Sequence, residues 1–250
     1  GKTLTISEGV TLTNNGTIIC YGTINGTVGG DVRYPSAVAV AISGEGVSNN
    51  TAPYGSTILI TATMQRARSN GISAIANAGT VDFYLGSVES GEKLNKEGIS
   101  VVESSGTYTA TLTLILDGTN WTPSDTPYTI TADFGGAAGT SGDGLQSSTG
   151  SAVLTVTKAS QTAPGKGEGY TINYQTETIS AQADYELAKT DSAASGFSSL
   201  TATPGGTIYV RLAETSTHNP SPWTAVTIPA RPDAPNVQGV NETVAGRNDG

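Results

Sequence analysis

Residues 106–116 read GTYTATLTLIL, and their alternation decides the fold class. Tyr108, Ala110, Leu112 and Leu114 fall on one side of a period-two pattern, and Thr109, Thr111 and Thr113 on the other. That is a half-buried strand, because successive side chains of an extended chain point to opposite faces. The same reading extends outward in both directions. YGSTILITATM (54–64) lines up Ile58, Ile60, Ala62 and Met64, and TVDFYLG (80–86) lines up Val81, Phe83 and Leu85. TPYTITADF (126–134) places Tyr128, Ile130, Ala132 and Phe134 together, and SAVLTVT (151–157) does so for Ala152, Leu154 and Val156. An earlier run, AVAVAIS (37–43), aligns Val38, Val40 and Ile42. Six such strands separated by Gly, Asn, Ser and Asp turns predict an antiparallel β-sandwich over residues 34–158. Residues 65–79 read as a long connection with a short helical turn at SAIANA, and GGAAGTSGDGLQSSTG (135–150) as a mobile loop between the last two strands.

Composition agrees. The 250 residues are 36% hydrophobic and only 13% charged, both below globular averages, and glycine alone accounts for 32 positions. Thr favours pleated surfaces, and Gly, Asn and Ser mark turns. A net charge of −9 offers no basic stripe to neutralise phosphates, so nucleic acid and anionic membrane are not expected partners. No run of 18 apolar residues predicts a membrane span. The opening GKTLTISEG has neither a basic n-region nor an apolar h-region, so any signal peptide is expected to have been removed. With Cys20 as the single cysteine, no internal disulfide is available, and the reading for Cys20 is a small apolar residue in a strand.

Before the sandwich, residues 1–33 repeat a short phrase: NNGTI (14–18), YGTI (21–24) and NGTV (25–28), preceded by LTISEGVTL (4–12). Short strands broken by Asn-Gly predict either hairpins or coils of a β-solenoid, the latter as the end of a larger upstream region. After the sandwich, residues 159–232 form a smaller unit. Its strands are GYTINY (169–174), ADYELA (183–188), GTIYVRLAET (206–215) and WTAVTIP (223–229). A junction recurs at its two ends: AVLTVTKASQTAP (152–164) and AVTIPARPDAP (225–235), each a strand, a basic residue and a polar stretch ending in Ala-Pro. Residues 233–250 therefore read as linker and the start of a further repeat, and the chain as a cut piece of a longer string of β-modules.

The order YGSTILITATM, VDFYLG, GTYTATLTL and YTITADFGG…SSTGSAVLTVTKA resembles the bacterial immunoglobulin-like repeats of large surface proteins. It departs from them in ADFGGAAGTSGDG, where the family has a shorter loop. The passage from YELAKT to NPSPW is similar to fibronectin type III-like modules of bacterial cell-surface proteins, although about 74 residues is short for that fold. These resemblances imply an extracellular, cell-surface location. They also imply a non-catalytic role as spacer or adhesion stalk, with neighbouring modules, polysaccharide or host surface proteins as partners. The alternative is an accessory carbohydrate-binding portion of a secreted glycan-degrading enzyme.

The chain holds few residues spaced to carry chemistry. His218, the one histidine, stands in a Pro-rich loop (THNPSPW) and reads as an exposed loop residue, with no GxSxG elbow to serve. No His/Cys spacing suits zinc, and Asp143, the nearest calcium candidate, lacks an EF-hand loop around it. GKGEG (165–169) lacks P-loop spacing. Glu186 and Glu214 lie on strand-like runs and are expected to be solvated. Thus no catalytic residue, metal or cofactor is predicted. Sugar rings stack on aromatic faces, which makes Trp121, Trp223, Tyr84, Tyr174 and Tyr209 the ligand-binding candidates, the tryptophans competing with burial at a sandwich edge.

Overall fold

A computed structural model describes residues 2–66, 79–138 and 144–233. The helical turn expected at SAIANA, Asp143 and the chain from residue 234 lie outside the described residues. Among the described residues all regular structure is β, with no helix. The chain divides into two compact units, Gly1–Ala159 with Ser216–His218, and Ser160–Thr215 with the chain from Asn219 on.

The first unit opens with β1 (Thr3–Thr5), β2 (Thr11–Ile19), β3 (Thr23–Asn25) and β4 (Thr27–Tyr34). Their pairing is parallel, β1 with β3 and β2 with β4, so the Asn-Gly breaks are not two-residue hairpin turns. Leu4 lies beside Ile24, Leu12 beside Val28 and Ile18 beside Val32, one coil of chain laid on the next. Cys20, Val28 and Val32 form a small core with Ile6, Ile18, Ile24 and Tyr34 packed against it. Gly30 is required here: its φ is +96°, and a Cβ would lie 2.2 Å from the Asn14 carbonyl oxygen.

The strands that follow are β5 (Ser36–Gly44), β6 (Thr51–Pro53), β7 (Thr57–Arg66), β8 (Thr80–Leu85), β9 (Glu92–Lys93), β10 (Ile99–Ser100), β11 (Val102–Ser104), β12 (Thr107–Ile115), β13 (Tyr128–Phe134), β14 (Gly144–Leu145) and β15 (Ser148–Thr157). One sheet runs β11-β12-β7-β5 and the other β10-β8-β13-β15-β6, with β9 added to β8. β6 joins β15 in parallel, and the other pairs within these two sheets are antiparallel. A single core fills the space between them. Ile58, Ile60, Ala62 and Met64 come from β7, and Val81, Phe83, Ile130, Ala132, Phe134, Leu154 and Val156 from the facing sheet. Thr57, Leu59, Thr61 and Thr63 alternate with the β7 set, as the period-two pattern requires. Full burial of each large aliphatic or aromatic side chain contributes about 1.5–3 kcal/mol.

Residues 135–138 and 144–150, the described parts of the expected mobile loop, are held in regular contacts. Ala137 and Leu145 exchange backbone hydrogen bonds, β14 pairs in parallel with Arg33 and Tyr34, and β15 starts at Ser148. Leu145 is fully buried, which gives this glycine-rich passage an anchor. Residues 139–143 are not among those described. The Ser36 hydroxyl donates to the Gln146 carbonyl at 2.8 Å, tying β5 to the residues that lead into β15.

The second unit contains β16 (Tyr170–Asn173), β17 (Thr178–Ala181), β18 (Tyr185–Ala188), β19 (Ser199–Thr201), β20 (Thr207–Leu212) and β21 (Thr224–Thr227). Two antiparallel sheets result, β16-β17-β19 and β18-β20-β21. Ile179, Leu187, Ala202, Ile208, Val210, Val226 and Ile228 make a separate core.

Candidate functional site

The outer face of β18-β20-β21 carries the most elaborate side-chain cluster of the second unit. Leu187, Ile208 and Val210 point into the core, so Glu186, Tyr209 and Arg211 point away from it. Glu186 and Arg211 stand opposite each other in the ladder, and Arg211 Nε donates to Glu186 Oε1 at 2.6 Å. Arg211 Nη2 also donates to the Ala194 carbonyl at 2.8 Å. The guanidinium carbon sits 4.1 Å from the centroid of the Trp223 ring. Trp223 Nε1–H in turn reaches the Ala193 carbonyl at 3.2 Å. Residues 193–197 are thereby laid along the sheet: the Gly196 amide donates to Glu186 Oε2 at 2.8 Å, and Phe197 bridges to Leu187. One side of the indole is thus committed to the protein's own cation, a contact worth about 0.5–2 kcal/mol.

Glu186 is therefore not solvated as the sequence suggests. Its side chain is 19% exposed and that of Arg211 10%, because the 193–197 segment covers the pair and both charges find partners beneath it. Glu214, beyond the end of β20, is exposed.

Beside the ring lies a cleft of about 520 Å³, lined among others by Ser160, Gln161, Asp191, Ser192, Asn219 and Trp223. Its rim is fixed. Gln161 Nε2 donates to the Ala213 and Asn219 carbonyls at 2.9 and 2.7 Å. The Ser221 hydroxyl, 2% exposed as a residue, accepts from the Leu212 amide at 3.0 Å. A half-exposed indole held in place among hydroxyl, amide and carboxylate groups suits a polyhydroxylated ligand: the ring offers apolar area, and the rim offers hydrogen-bond partners.

The other candidates are dispersed. Trp121 is 5% exposed and belongs to the sandwich core, its ring 5.4 Å from that of Tyr128, so it presents no face to a ligand. Tyr84 is half-buried on the outer face of β8, between Thr131 and Lys93. There Lys93 pairs with Asp82 at 2.8 Å, and that hydrogen bond raises the lysine above its ordinary pKa of 10.5. Tyr209 is half-buried between Ala188 and Ala225 on the same face as Arg211. Tyr174 is the openly presented ring, 67% exposed, at the mouth of an apolar cleft of about 490 Å³ with Ile172, Pro204, Ile228 and Pro229. His218 groups with the first unit and is half-buried rather than exposed, its ring edge-on to Tyr54 with centroids 6.0 Å apart. Among the described residues no three His, Cys, Asp or Glu side chains are grouped to hold a metal ion. No helix among them is long and apolar enough to cross a membrane.

Arg211, Gln161 and Ser221 were not legible as site residues. Arg211 did leave a signal, since it and Glu186 both occupy outward positions of alternating strands, where opposite charges pair across a sheet. No protein-family model matches the chain, and a search of curated proteins finds no relative.

Proposed function

We propose that this chain is a non-catalytic, modular portion of an exported bacterial surface protein, serving as a spacer or stalk and contacting polysaccharide or host ligands. The observation that carries the reading is serial construction. Along one chain stand a unit in which parallel coils join a two-sheet sandwich through β14, and a second two-sheet unit, with one apolar cluster in the coils and one in each sandwich. Chains of this kind are lengthened by adding modules, with the loops left free for recognition.

Strand order supports an immunoglobulin-like first sandwich. Taking β5, β7, β8, β11, β12, β13 and β15 as A to G, the sheets read D-E-B-A and C-F-G, the arrangement of that fold. Tyr128, at the start of β13, adds a second mark, because its hydroxyl donates to the Thr122 carbonyl at 2.7 Å just upstream, in the manner of a tyrosine corner. In the smaller unit three strands face three, which supports a reduced fibronectin type III-like module. The parallel pairing of residues 3–34 supports the solenoid reading of the N-terminal segment.

The Trp223 cleft favours a second reading, the accessory carbohydrate-binding portion of a secreted glycan-degrading enzyme. Both readings place the ligand contact at the same ring. The test is pull-down and titration of the 250-residue protein against insoluble polysaccharides and a glycan array, in parallel with Trp223→Ala. The expected result is saturable binding by the parent and at least about a tenfold loss in the variant, since removal of a central aromatic anchor costs roughly 2 kcal/mol or more. Equal binding by parent and variant, both shown to be folded, overturns the assignment of the cleft.

A further inference from the structure

We propose that the free edge of β1 and β2 is covered by one further parallel coil of the same polypeptide, extending the stack that residues 3–34 begin. The proposal rests on the reading of those residues as stacked coils, and three observations carry it beyond that reading.

First, the ladder is one-sided. A strand in a parallel sheet directs alternate N–H and C=O groups to both neighbours. Among the described residues, β1 pairs only with β3, and β2 only with β4. Second, the apolar stack is uncovered at the same end. Val28 and Val32 of the second coil are 9% and 0% exposed, whereas Leu4 and Leu12 of the first coil are 47% and 41% exposed. Third, apart from the register shift between Thr13 and Thr17, the edge is unguarded. β1 reads TLT and β2 reads TLTNNGTII, with none of the lysines or prolines that usually keep an exposed edge from pairing.

The contact between the two existing coils defines what fits there. Thr3 lies beside Thr23 and Thr11 beside Thr27, while Leu4 and Leu12 meet Ile24 and Val28. Another coil of this phrase places threonines and aliphatic side chains in the same rows. A second copy of the chain does not continue the pattern. Two edges related by a two-fold axis either run antiparallel or turn their apolar faces to opposite sides. The stack grows by successive coils of one chain, and so the occupant is another coil in cis.

Hydrogen exchange tests this on the 250-residue chain and on a version with a second copy of residues 1–20 joined ahead of Gly1. In the unextended chain, the amides of Ile6, Cys20 and Thr23, which donate from one coil to the other, are slow. With the added coil, the outward-facing amides of β1 and β2 slow by about tenfold or more, as for any edge that becomes an interior strand. Leu12→Glu in the extended chain removes that gain. Unchanged exchange in β1 and β2 of the extended chain, with the second coil still slow, overturns the proposal. Protection that appears in the unextended chain as its concentration rises also overturns it, in favour of a second copy. Fast exchange at Ile6, Cys20 and Thr23 would instead refute the stacked coils themselves.

Discussion

Arg211 shows what a single residue does in this chain. It spans two tasks: it neutralises Glu186 and it holds the Trp223 ring on one side. Arg211→Met leaves the Glu186 carboxylate half-covered with only the Gly196 amide shown to donate to it. Removing one partner of a buried pair costs about 3–5 kcal/mol, and the residual exposure of Glu186 puts the expected loss at the lower end. Urea unfolding followed by tryptophan fluorescence, to which Trp223 contributes the second unit's signal and Trp121 the first's, measures it. The double variant Arg211→Met/Glu186→Gln should lose less than the two single changes summed, because they share one interaction. Tyr128→Phe is a smaller test in the first unit. It removes the hydroxyl that donates to Thr122 and should cost about 0.5–1.5 kcal/mol with no change in fold. At this scale the sequence was only partly legible. Trp223 could be singled out as an aromatic, but its fixation depends on Ala193 and Ala194 carbonyls, which carry no side-chain signal. Trp121 could be weighed between surface and core, and the sandwich took it into the core.

Strands were far easier to read than the contacts between them. The alternation in residues 106–116 is reproduced in β12, where Tyr108 and Ala110 are buried and Thr107 and Thr111 exposed. β7, β8, β13 and β15 follow their patterns equally well, because an apolar face against a core leaves only one register. What period two cannot encode is partner and direction. The parallel coils of residues 3–34 and the parallel addition of β6 to β15 appear only once the chain is folded. Close approach is likewise silent in the sequence. Gly150 within β15 could be read as a weak strand position, yet β5 crosses so near that a Cβ would lie 2.0 Å from the Val38 carbonyl oxygen. Gly150→Ala must therefore push backbone apart, and it should destabilise the first unit by about 1–3 kcal/mol or more, as overpacking does. Gly55→Ala makes the comparison, since a Cβ there meets nothing within 4 Å and its φ of +83° isolates the backbone cost. A melting temperature for Gly150→Ala equal to that of the parent would refute the crossing.

The molecule as a whole is a series of small cores, in keeping with a composition poor in charge and large apolar residues. Each core is closed by short antiparallel or parallel sheets, without a disulfide, since Cys20 is the one cysteine and is buried. Such a chain gains reach by repetition, and the recurrent Ala-Pro junctions at 163–164 and 234–235 fit that plan. Its functional reading turns on where it is displayed. The most direct measurement is antibody labelling of the cells that make it, intact and permeabilised, with surface digestion by protease as the companion assay. Labelling of intact cells that protease removes is the predicted result. Labelling seen only after permeabilisation, with the protein untouched by external protease, would contradict a surface stalk.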